Sequence, residues 1–169
     1  QIREQRKVTQ MDVNKHPYIV TGRCPCKMDD NTVRRTMEVY NSLTDKSPEN
    51  FAQELEKQKV IGKTVTYDKE QNTIFMEKKY GSECGEYNEN NKTKIGQRCY
   101  CSHYNGATEG NFPLSCCKCG AEFYRPMFAQ IYGEDVLIEP YQTVLSGGES
   151  CILAVRIGKT EKDYIPKNK

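Results

Sequence analysis

The chain has 169 residues, with 25 Lys and Arg against 23 Asp and Glu, nine Cys and no Trp. Its length suits one domain with a core of its own, and 36% hydrophobic with 28% charged content argues against disorder and against a membrane span. A net charge of +2 spread along the chain leaves no electrostatic footprint for nucleic acid, and apolar runs such as 151–155 fall far short of the ~20 residues of a transmembrane helix.

Residues 1–23 are polar, with one short extended candidate at Tyr18-Ile19-Val20, and Cys24-Pro25-Cys26 follows on a loop because Pro25 forbids a regular helix or a central strand. Asp30-Asn31 supplies an N-cap for a helix to about Leu43, with Val33, Met37 and Tyr40 at helical spacing. Ser47-Pro48-Glu49 starts a second helix, with a cap, Pro at the first helical position and acid in the first turn. Phe51, Ala52, Leu55 and Val60 carry its apolar stripe to a stop at Gly62. The pattern then turns to period two, and 63–68 and 73–80 flank the polar turn 69–72 as a β-hairpin.

Residues 81–98 read as a long surface loop, 97–104 as a strand or ordered loop, and 105–113 as turns. Helical spacing resumes over 116–132 in Cys117, Ala121, Tyr124, Phe128 and Ile131, with Gly133 just past the end. Pro126 requires that this helix begin late or kink. Residues 136–145, the turn 146–149 and residues 151–157 form a second hairpin, in which Cys151, Leu153, Val155 and Ile157 share a core face. The expected fold class is α+β: an antiparallel sheet with helices packed on one side. A single domain is expected over 1–158, divided into a helical part at 1–62 and a hairpin and Cys-rich part at 63–158, with a loose charged tail at 159–169.

The cysteines are the unusual feature. Six of the nine fall within Cys84–Cys119, and three CxC units occur, at Cys24/Cys26, Cys99/Cys101 and Cys117/Cys119. Cys116 extends the last unit into a CxxC, and His103 follows Cys101 by two residues. Soft thiolates at this spacing can chelate Zn²⁺ or an iron–sulfur cluster, and a helix start lowers thiol pKa. The metal candidates are Cys84, Cys99, Cys101, Cys116 and Cys119, with Cys24, Cys26, Cys117 and His103 as further candidates. Against this stand plainer readings. Cys151 reads as a small core hydrophobe and Cys117 as an inner-face residue, while disulfides would have to be long-range because adjacent and CxC pairs are strained.

The stretch Cys117-Lys118-Cys119-Gly120-Ala121-Glu122-Phe123-Tyr124, then Phe128, Ile131-Tyr132-Gly133 and Val136, and finally 143–155 with Gly147-Gly148-Glu149-Ser150-Cys151, resembles the 4-vinyl reductase type of domain. It resembles more closely a set of cysteine-rich bacterial relatives, and it shares a plan with L-2-amino-thiazoline-4-carboxylate hydrolase-like proteins. The resemblance covers roughly residues 95–158. It implies an α+β fold related to the 4-vinyl reductase and haem-nitric-oxide-binding group, a pocket between helices and sheet for a small hydrophobic molecule, and Cys or His metal ligands. By position Cys119 and Cys151 match the motif cysteines, and Cys99 and Cys101 resemble a further Cys-rich segment. Pro126 and the loop 102–115 depart from the pattern.

The leading expectation is therefore a small-molecule-binding or sensor domain with a thiolate Zn or iron–sulfur site, with no nucleic-acid partner and compatible with a homodimer. The catalytic alternative is a small-molecule hydrolase with Cys119 as nucleophile and His103 as base. Residues 1–10 carry no signal-type apolar run, and a cytoplasmic location is expected. The alternative there is an extracytoplasmic binding domain stabilised by disulfides.

Overall fold

The computed structural model describes residues 28–78 and 112–167. Within them lie helices α1 (Asp30–Ser42) and α2 (Pro48–Gln58), strands β1 (Thr64–Asp68) and β2 (Thr73–Glu77), helices α3 (Lys118–Glu122) and α4 (Arg125–Tyr132), and strands β3 (Val136–Gln142) and β4 (Ile152–Thr160). The expected features at 18–20, the loop 81–98, the segment 97–104, most of 105–113, and Cys24, Cys26, Cys84, Cys99, Cys101 and His103 lie outside the described residues.

Helix α1 is capped one residue earlier than the sequence suggests. Asp29, not Asp30 or Asn31, accepts the Thr32 amide at 2.8 Å. Its fully buried positions are Thr36 and Val39, while Val33 and Tyr40 pack at the margin of the core. Thr36 satisfies its hydroxyl on the Thr32 carbonyl at 2.9 Å, so burying it leaves no orphaned polar group. Helix α2 starts as read, with the Ser47 side chain accepting from Asn50 and Pro48 in the first turn. It ends at Lys59 in the left-handed conformation, three residues before Gly62.

The sheet has four antiparallel strands in the order β1-β2-β4-β3. Register puts Val65 opposite Met76, Ile74 opposite Val155, Met76 opposite Leu153 and Ile138 opposite Val155, so one row of apolar side chains crosses all four strands. This face meets Val39, Phe51, Leu55, Met127 and Phe128 of the helices in a single cluster. The mixed α+β architecture matches the expectation. At its centre Phe51 is fully buried, with Tyr40, Phe128 and Tyr132 around it at ring separations of 5.2, 6.2 and 6.5 Å. The Tyr132 hydroxyl is buried with no hydrogen-bond partner among the described residues, and burial, reinforced by Tyr40 and Tyr67, pushes its phenol well above the ordinary range.

The opposite face carries Thr66, Phe75, Glu139, Tyr141 and Arg156. Phe75 and Tyr141 meet edge to face at 4.8 Å. The Arg156 guanidinium lies 5.7 Å from the first ring and 6.0 Å from the second, and pairs with Glu139 at 2.8 Å.

Each outer strand has backbone groups taken up by a charged side chain. On β1 the Val65 amide donates to the Glu56 carboxylate at 2.6 Å. On β3 the Ile138 amide donates to Glu161 at 3.1 Å, and the Ile138 carbonyl accepts from Lys118 at 2.5 Å. Charges placed at a sheet margin in this way satisfy the strand groups that a sheet leaves without partners.

The turn into β1 depends on Gly62. Its φ is +75°, and a Cβ there would sit 2.8 Å from the Glu77 carbonyl oxygen. Gly62→Ala is expected to lower unfolding free energy by about 1–3 kcal/mol, because both the backbone conformation and the close approach exclude a side chain. Urea titration checks this by a lower midpoint at unchanged slope.

Three features of the second half differ from the reading. The single helix over 116–132 is a 3-10 turn at Leu114–Cys117, then α3, then α4, with a break at Phe123-Tyr124 that places Pro126 in the first turn of α4. Pro is tolerated there because its missing amide has no helical partner to lose. Strand β3 stops at Gln142, and Cys151 precedes β4 instead of lying in it. Residues 159 and 160 continue β4, and Glu161–Asp163 form a capped turn packed on the domain, so this part of the tail is fastened.

Candidate thiol site

Cys116, Cys117 and Cys119 occupy the 3-10 turn and the first residues of α3. Cys116 and Cys119 are buried, at 3% and 6% exposure, and Cys117 is half-buried. The expectation of a long helix start that lowers thiol pKa does not hold in this form. Helix α3 has only five residues, too few aligned peptides for a substantial dipole. Cys117 is not a member of the central apolar cluster, which corrects its reading as an inner-face hydrophobe.

A cluster of ionised side chains fixes this turn in place. Lys118 is 1% exposed, yet its ammonium contacts Glu122 at 2.6 Å and Glu161 at 2.8 Å. Arg125 contacts Glu122 and Glu161, each at 2.6 Å, and donates to the Glu134 and Val136 carbonyls. Two cations and two anions thus neutralise one another, and a lysine this buried is tolerated only when paired. Burial raises the Glu122 carboxyl, but hydrogen bonds from Arg125 and Lys118 and the charges of both more than offset this and hold it below its usual range. The hydrogen bonds that Arg125 donates to Glu122, more than any other influence, hold its guanidinium above the ordinary range. None of these four residues was singled out in the sequence. The spacing Lys118, Glu122, Arg125 was the available signal, and on an isolated helix it reads as a solvated charged face.

On the other side of α3 lies Gly120. A Cβ at Gly120 would sit 3.5 Å from the Lys78 ammonium, and that ammonium lies 5.4 Å from the Tyr124 ring and 6.0 Å from the Phe123 ring. The Lys78 amide in turn donates to the Cys151 carbonyl at 2.8 Å. The Cys151 thiol is half-exposed and accepts the Val144 amide at 3.5 Å. It is therefore not the core hydrophobe expected from its alternation with Leu153. Tyr124 is 5% exposed. Burial raises its phenol, with Lys78 opposing and Cys151 reinforcing the shift. Lys78 thus links Gly120 and Tyr124 to the strand end beside Cys151.

Among the described residues, no three His, Cys, Asp or Glu side chains converge in a way that would hold a metal ion, and no disulfide links the four described cysteines to one another. Cys84, Cys99, Cys101, His103, Cys24 and Cys26 lie outside the described residues. Cys119, the nucleophile of the catalytic alternative, is closed off in this conformation, whereas a nucleophile must be reached by its substrate.

A groove of about 340 Å³ lies between α2 and β1, lined by Glu49, Ala52, Gln53, Glu56, Val65 and Tyr67 among others. It sits at the β1 margin of the sheet, whereas the thiol-bearing turn packs at the β3 margin. No helix of the described residues is long and apolar enough to cross a membrane.

No family model, no curated protein and no solved structure matches the chain.

Proposed function

We propose that the chain is a cysteine-rich small-molecule-binding or sensor domain in which the Cys116–Cys119 turn contributes thiolates to a soft-metal site, Zn²⁺ or an iron–sulfur cluster. The observation that supports this reading is the seating of Cys116 and Cys119. Both sulfur-bearing residues are buried on one short turn that the Lys118–Glu122–Arg125–Glu161 cluster holds rigid. Rigid support of this kind is what a metal centre needs around its ligands. The turn offers soft donors that suit Zn²⁺ or iron. The remaining ligands are proposed from Cys84, Cys99 and Cys101, with His103, Cys24 and Cys26 as further candidates.

In this reading the protein binds a small molecule and does not catalyse. The fold kinship proposed with the 4-vinyl reductase group rests on the sequence stretch 95–158 and on the α+β architecture.

Elemental analysis of anaerobically purified chain is expected to give Zn or Fe at near-stoichiometric level, and thiol titration after denaturation and chelation is expected to approach nine per chain. Metal-free, natively folded protein would sink the metal part of the reading. A titre near one would support the disulfide-stabilised alternative instead.

A further inference from the structure

We draw no further inference here: the strongest candidate, the groove between α2 and β1 lined by Glu49, Ala52, Gln53, Glu56, Val65 and Tyr67, carries nothing, because its Glu56 carboxylate is already engaged by the Val65 amide and Lys59 and nothing in the structure shows what occupies it.

Discussion

Replacing Lys118 by Met is expected to lower the unfolding free energy by about 3–5 kcal/mol, the usual cost of removing one partner from a buried ion pair. Met matches the length of the stem, so the loss isolates the charge and not the packing. What remains is unfavourable in two respects. The Ile138 carbonyl loses its donor at 2.5 Å, and the carboxylates of Glu122 and Glu161 are left to share Arg125 alone. A buried acceptor without a donor costs about 1–3 kcal/mol by itself.

The double variant Lys118→Met/Glu161→Gln discriminates this account from a simple loss of packing. Once one anion is gone, the mismatch of two carboxylates against one cation disappears, so the second substitution is expected to cost less than it does alone. A coupling of about 1–3 kcal/mol is the range for residues of one network. Urea titration of the four proteins gives this coupling, and strict additivity would refute it.

Phe51→Ala is the second large effect, expected at about 3–5 kcal/mol for an aromatic side chain deleted from a packed core. Phe51 is 0% exposed and stands where α1, α2 and α4 meet, with Tyr40, Phe128 and Tyr132 as ring neighbours. Three rings oriented around a fourth leave little room for relaxation into the vacated volume, which places the cost toward the upper end. Thermal and urea unfolding read the loss directly. An effect under about 1 kcal/mol would show that the aromatic cluster repacks. Phe51→Leu, which keeps most of the volume, is expected to lose less than half as much.

The elements that the sequence announces most clearly are those with local chemistry. Ser47-Pro48 marks a helix start because cap and fixed φ act within four residues, and the hairpin of β1 and β2 shows because alternation and a polar turn are both short-range. The cap of α1 falls one residue before the position its pattern suggests because Asp29, Asp30 and Asn31 are all competent, and only the backbone decides among them. The break between α3 and α4 is signalled by Pro126, but its place at Phe123-Tyr124 depends on packing against β3.

The candidate site was less legible, and for a physical reason. The cysteine turn is visible as a motif, whereas the residues that hold it are not. Lys118, Glu122 and Arg125 look like an exposed charged helix face until Glu161, 36 residues beyond Arg125, closes the cluster. Cys151 misled in the opposite direction. Alternation with Leu153 and Val155 places it on the core side of a strand, but β4 begins one residue later at Ile152, and the thiol turns to the Val144 amide.

The ionised side chains on Val65 and Ile138 also bear on how copies of the chain can meet. An incoming strand at either margin would first have to evict Glu56 from one edge, or Lys118 and Glu161 from the other, before making its initial backbone hydrogen bond there. Each eviction strips charge from a satisfied position, so strand addition at Val65 or at Ile138 is disfavoured.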